Sequence, residues 1–187
     1  MKQSSNTIIR PASVEDAALL AELGARTFAE TFAADNRPED MTAYLASSFS
    51  QSQQAAELAD PHSLFLIADI DGVAAGYAKI RGGTNPPESV TNNKPIELVR
   101  LYVSQQWLGR GIGALLMRGC LIEATQKGYR TIWLGVWKHN KHARAFYRKW
   151  NFQEVGEHVF QLGNDSQTDI LMERFLDHET VNSLMLR

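Results

Sequence analysis

The stretch Val103-Ser104-Gln105-Gln106-Trp107-Leu108-Gly109-Arg110-Gly111-Ile112-Gly113-Ala114 constrains the fold of this chain more than any other. It follows an apolar run at 97–103 that reads as a strand, and it opens a helix expected over 111–127, ended by Gly128 at a C-cap position. Three glycines at alternate positions thus turn a strand into a helix. Without Cβ atoms, such a turn lets an anion reach the backbone. The free N–H groups of the first helical turn then point at it, aided by the helix dipole. The same residues would also serve a tight strand-to-helix connection with no ligand. Two familiar nucleotide signatures are excluded. No Lys-Ser or Lys-Thr follows the glycines, as a Walker A loop requires, and the third glycine comes one residue early for Gly-x-Gly-x-x-Gly.

The rest of the chain surrounds this turn with alternating periods. A short strand at 7–10 stops at Pro11, and Ser13 with Asp16 forms an imperfect capping box for a helix reaching about Phe32. Helical stretches follow at 38–49 and 51–58. Strands at 64–70 and 73–80 flank Asp71-Gly72, a two-residue hairpin turn. The Gly, Pro and Asn content of 82–95 marks a mobile, insertion-like loop. A strand at 131–136, a helix from Asn140 to Lys149, and two antiparallel strands at 152–160 and 168–175, joined by Gly163-Asn164-Asp165, complete the pattern. The expected class is mixed α/β, with helices on both sides of a central, largely antiparallel sheet and one strand–helix–strand crossover.

Composition narrows the function classes. The 187 residues suit a single domain, set at 7–176 with 177–187 as a loose C-terminal tail, and 44% hydrophobic content supplies a full core. With 19 Lys and Arg against 21 Asp and Glu, the chain has no field for sequence-independent nucleic-acid binding. The single Cys120 makes no intrachain disulfide. No apolar run reaches the ~18–20 residues of a membrane span. Residues 1–7 carry no apolar signal segment. His139 and His142 lie three apart without a third ligand, so no metal is expected. A cytoplasmic enzyme or binding domain is the expectation, without nucleic-acid or membrane partners.

Gln106-x-x-Gly109-x-Gly111, between the 97–103 strand and the Leu115-Leu116 helix, resembles the acetyl-CoA pyrophosphate motif of the GNAT superfamily of N-acetyltransferases. Gly135-Val136-x-x-x-Asn140-x-x-Ala143-x-x-Phe146-Tyr147 resembles that family's next strand and helix. The resemblance covers about residues 8–176. Thr27-Phe28-x-Glu30-Thr31-Phe32, Trp133-Leu134-Gly135-Val136-Trp137, and Gly156-x-His158-x-Phe160 with Gln167-Thr168-Asp169 are similar to the bacterial spermine/spermidine N-acetyltransferase subgroup. One departure is Asn151, where the family usually has Gly before the Phe that starts the next strand. Asn best tolerates the left-handed conformation among the other residues, so the turn should survive.

The resemblance implies a GNAT fold with a splayed sheet and an acetyl-CoA cosubstrate. Gly109, Arg110, Gly111, Ile112, Gly113 and Ala114 would hold the pyrophosphate. Leu101, Tyr102 and Val103 would pair with the pantetheine arm as an added strand, one amide donating to the thioester oxygen. Asn140 would cap its helix and also reach the arm, and the cap alone explains it. Tyr147 would protonate the leaving thiolate, or is core on an amphipathic helix. Glu97 is either the general base or a solvated edge charge, and Glu30 is a weaker candidate for a cationic substrate. Lys149 is the candidate for the 3′-phosphate on a helix whose basic side is otherwise a solvated face. Gly135 either keeps the groove clear or packs under a large neighbour. The implied acceptor is a small-molecule amine, a polyamine. A peptide or protein amine, another small amine such as an aminoglycoside or amino acid, or a regulator that binds acyl-CoA without turnover, are the alternatives, and a homodimer is left open.

Overall fold

The computed structural model describes residues 6–91, 93–163 and 165–177. The expected tail therefore lies, from residue 178 on, outside the described residues, as does Asn164 of the last turn. The elements are β1 (Thr7–Pro11), α1 (Ala17–Phe32), α2 (Pro38–Ser48), α3 (Gln51–Ala59), β2 (Ser63–Ile70), β3 (Val73–Arg81), β4 (Pro95–Val103), α4 (Ile112–Gln126), β5 (Thr131–Trp137), α5 (Lys141–Lys149), β6 (Gln153–Leu162) and β7 (Asp165–Phe175). The seven strands form one sheet in the order β1-β2-β3-β4-β5-β7-β6. The β1/β2, β5/β7 and β6/β7 pairs are antiparallel and β4/β5 is parallel, with α4 the crossover between them. The expected mixed α/β class is what the chain adopts.

Local chemistry sets the boundaries. Asp71 and Gly72 both take positive φ, 51° and 83°, the twist-matched geometry of a two-residue hairpin. Pro38 opens α2 at a position where its missing N–H costs nothing. The Asp16 carboxylate accepts from the Ser13 amide at 2.9 Å, completing one arm of the capping box. Asn151 takes φ 61°, the left-handed conformation expected of it, between α5 and β6.

The described residues form two compact units, one within 1–79 and 100–120, the other within 80–99 and 121–187. In the first, Leu20, Leu23, Phe65, Ile67 and Tyr77 form a core in which none is more than 2% exposed. An ionic group ties α3 to the strands of that unit. Glu57 pairs with Lys79 at 2.8 Å and with Arg100 at 2.7 Å, and both cations are buried. Burial raises the Glu57 pKa, but Arg100 and then Lys79 outweigh it and hold the carboxyl below its ordinary range.

The second unit corrects one expectation. The 82–95 loop, which its composition reads as mobile, is packed down. Val90 is 3% exposed in a cluster with Trp133 and Leu171. The Thr91 amide and hydroxyl both donate to the Glu173 carboxylate, at 2.7 and 2.9 Å. One buried apolar residue and one buried acceptor are enough to hold a loop that composition alone marks as free. The last hairpin is also longer than expected. Its ladder runs from Gln153↔Glu173 to Leu162↔Asp165, with an irregularity between Glu154 and Gly156.

Candidate functional site

In the first unit, Gly109 and Gly111 have φ of 75° and 83°, and a Cβ on either would meet no atom within 4 Å. Close packing against protein is therefore not why they are glycine. The backbone conformation requires it, and the space beside the turn is open. Leu115 N donates to Gly111 O at 3.1 Å. The N–H groups of Ile112, Gly113 and Ala114 precede that bond and have no carbonyl within the helix to reach. Ile112 itself is buried, its side chain anchoring the first turn of α4 in the core. The Arg110 guanidinium lies 4.9 Å from the Trp107 ring centroid, a cation–π contact that holds an exposed cation at the turn.

The turn is anchored from α1. Glu30 Oε2 accepts from the Gln105 amide at 2.9 Å, capping the short helical turn at Gln105–Trp107. The carboxylate considered for a cationic substrate thus has one oxygen committed to this cap. On β4, Leu101, Tyr102 and Val103 are half-buried, and the Tyr102 ring packs edge-on against Tyr77 at 5.7 Å. Their backbone is what an added strand would use. Gly76 on β3 was missed by the sequence reading. A Cβ there would lie 2.5 Å from Tyr102 O and 3.1 Å from Val103 Cα, so glycine lets the two strands close up at this point. An isolated glycine inside a strand pattern was the available signal.

In the second unit, the β4/β5 ladder has three pairs, ending at Glu97↔Trp133, while both strands continue, β5 as far as Trp137. Glu97 is ion-paired with Arg81 at 2.8 Å and its side chain is only 18% exposed. The sequence reading did not find Arg81. Two residues beyond Trp133, Gly135 is exposed in the middle of a buried strand. A Cβ there would meet Asp169 Oδ2 and His158 Nε2, each at 3.2 Å. The two readings of Gly135 therefore converge: it leaves the sheet face low, and the neighbours above it are polar.

Asn140 Oδ1 accepts from the Ala143 amide at 3.0 Å, the expected helix cap. Tyr147 is 9% exposed, with ring neighbours Phe146 at 5.5 Å and Phe152 at 5.7 Å. Arg144 and Arg148 on the same helix share Glu154, at 2.9 and 2.6 Å. Lys149 is exposed in the last turn. Among the described residues, no cluster of three or more His, Cys, Asp or Glu side chains could hold a metal ion, and no helix is long and apolar enough to cross a membrane.

Comparison with known proteins identifies the family. Residues 24–152 match the family model described as the Acetyltransferase (GNAT) family. An uncharacterised N-acetyltransferase of Lactobacillus delbrueckii subsp. lactis is 37% identical over 150 residues, covering 80% of this chain and 86% of that protein. One from Mycobacterium tuberculosis is 33% identical over 161 residues, 86% of this chain and 98% of that protein. Among solved structures, the PaiA N-acetyltransferase of Thermoplasma acidophilum in complex with coenzyme A superposes with a TM-score of 0.72 at 22% identity, covering 91% of this chain and 99% of that one.

Proposed function

Since the chain belongs to the GNAT family of acetyltransferases, we propose that it transfers the acetyl group of acetyl-CoA to a primary amine of a polyamine such as spermidine or spermine, by direct attack in a ternary complex. The observation that carries the cosubstrate is the glycine turn: two left-handed glycines with open space beside them at the N-terminus of α4. That geometry suits a pyrophosphate, which needs close backbone approach and converging N–H groups. A structural neighbour solved with coenzyme A supports the same reading.

The polyamine acceptor rests on the sheet face of the second unit. Trp133 and Gly135 alternate onto one face, and Asp169, whose carboxylate contacts the Gly135 position, joins them there. Glu97 stands opposite Trp133 in the β4/β5 ladder. A carboxylate beside a part-exposed tryptophan, as Asp169 is beside Trp137, suits an aliphatic cation, which takes charge pairing and cation–π contact together.

The chemistry asks for few groups. Backbone amides of Leu101, Tyr102 or Val103 stabilise charge developing on the thioester oxygen. Tyr147 gives its phenolic proton to the departing thiolate. Lys149 meets the 3′-phosphate as a mobile point charge.

A thiol-release assay with acetyl-CoA across polyamines, aminoglycosides, amino acids and peptide α-amines tests the acceptor; highest kcat/KM on spermidine or spermine is expected, and a peptide optimum refutes the polyamine class. Tyr147→Phe tests the acid. Phe146 and Phe152 already pack the ring, so losing one oxygen leaves the helix in place. Turnover should fall by roughly 10²–10⁴-fold. Acetyl-CoA affinity should change by no more than one hydrogen bond, about 0.5–1.5 kcal/mol. Full turnover in the variant would make Tyr147 a packing residue.

A further inference from the structure

His158 has no part in the chemistry described so far, and Asp169 only that of a carboxylate on the acceptor face, yet the fold brings the two together. They are ladder partners across the β6/β7 hairpin, and Trp137 on β5 is the partner of Asp169 on its other side. His158 Nε2 faces Asp169 Oδ2 at 3.7 Å. Nε2 is shielded from solvent and has no hydrogen-bond partner, although the imidazole as a whole is 36% exposed. No hydrogen bond reaches the Asp169 carboxylate among the described residues, and its side chain is only 14% exposed. Burial holds the Asp169 carboxyl above its ordinary range, with His158 drawing it partly back. Gly135 makes the room: any side chain on β5 at that point would press on both groups.

Two under-bonded polar groups facing each other on rigid strands are costly unless something completes them. The spacing is too long for a hydrogen bond in the free protein. It is of the order by which catalytic contacts lengthen before substrate binds. Closing it directs Nε2–H onto the carboxylate and leaves Nδ1 as the proton acceptor. The other charges near the pair are committed elsewhere. Glu157, next to His158, pairs with Lys138 at 2.9 Å. Glu173, four residues along β7 from Asp169, is held by Thr91. On β5, Gly135 and Trp137 lie beside the pair and carry no charge, and Glu97, the ladder partner of Trp133, is paired with Arg81 at 2.8 Å.

We infer that His158 is the general base for the acceptor nitrogen and Asp169 the positioning residue that orients its imidazole, both seated over Gly135. The inference rests on the acetyl-transfer reading above. As the neutral amine attacks, the N–C bond forms and the C–S bond breaks. The proton lost by nitrogen goes to His158 Nδ1 and then to solvent, while the thiolate is protonated from Tyr147, whose phenolate regains a proton from solvent. The products are one amide and one thiol.

The test compares the wild type with His158→Ala, Asp169→Asn and Gly135→Ala, in steady-state kinetics with the best amine of the panel and in direct acetyl-CoA titration. His158→Ala should lower kcat by roughly 10²–10⁴-fold without changing acetyl-CoA affinity, and added imidazole should restore part of the rate. The acid limb of the kcat–pH profile should disappear with it. Asp169→Asn, which keeps the shape and guards against misfolding of the alanine variant, should lower kcat and alter that limb. Gly135→Ala should lower kcat while the protein stays folded. An active wild type matched by His158→Ala in kcat and pH profile overturns this inference alone. So does an Asp169→Asn defect confined to amine KM with His158→Ala harmless, which would make the pair an ammonium-binding site only. A wild type that binds acetyl-CoA but acetylates no amine overturns the transferase reading and this one together.

Discussion

Glu57→Gln removes one negative charge from between two buried cations. Lys79 Nζ and Arg100 Nη1 both lie within 2.8 Å of Glu57 Oε2, and their side chains are 2% and 9% exposed. The substitution keeps the shape and leaves both cations facing a neutral amide. Breaking a buried pair in this way costs about 3–5 kcal/mol. For a chain of this size each kcal/mol moves the midpoint by about 2–4 °C, so the melting temperature should drop by roughly 6–20 °C. Lys79→Met should be milder, because the bidentate Glu57–Arg100 pair survives it. The same network gives a pH signature. The folded carboxyl is held below its unfolded value, so its contribution is complete above an unfolded pKa of about 4.3 and is lost as pH falls through the folded value. Thermal melts from pH 3 to 7 should show wild type and Glu57→Gln converging at the acid end. A variant that melts within 2 °C of wild type at neutral pH would refute the reasoning, because the cations would then have found solvent.

Gly76→Ala would set a Cβ 2.5 Å from the Tyr102 carbonyl oxygen, a backbone atom with little freedom to move. A stability loss of about 1–3 kcal/mol is expected, with weaker acetyl-CoA binding, and wild-type values in melting and titration would show that the strands adjust freely. Gly111→Ala meets no atom, so its effect on folding should be only the left-handed cost of about 1–2 kcal/mol. Titration with acetyl-CoA in the folded variant should nonetheless show weakened binding, and unchanged affinity would remove Gly111 from the site.

What could be read from the sequence was local. The glycine turn, the Asp71-Gly72 hairpin, the Asn140 cap and the left-handed Asn151 are each set by a few adjacent residues, and each appears as expected. What escaped depends on partners brought from afar. Gly76 matters because of a carbonyl 26 residues away on the next strand. The 82–95 loop looks free until Trp133, Leu171 and Glu173 arrive beneath it. Glu97 gains a cation from β3 that no motif contains. The His158–Asp169 pairing was within reach in principle. The two residues are equidistant from the middle of the hairpin turn, so a strict antiparallel register places them opposite one another.

That pairing bears on which group removes the amine proton. From the residues alone, Glu97 was equally a base or a solvated edge charge. A solvated charge it is not, being mostly buried and bonded to Arg81 at 2.8 Å. To accept a substrate proton through Oε2 it would have to release that guanidinium, stranding a cation whose Nε already lacks a partner. Asp169 is under no such constraint. No lysine or arginine pairs with it, and no donor saturates it, among the described residues. A cation reaching this sheet face therefore meets one carboxylate already satisfied and one still open. The open one is coupled to an imidazole, the side chain whose ordinary titration range lies closest to neutral pH. On the inference drawn above, proton removal falls to the β6/β7 hairpin, and Arg81 with Glu97 is a fixed pair on β3 and β4.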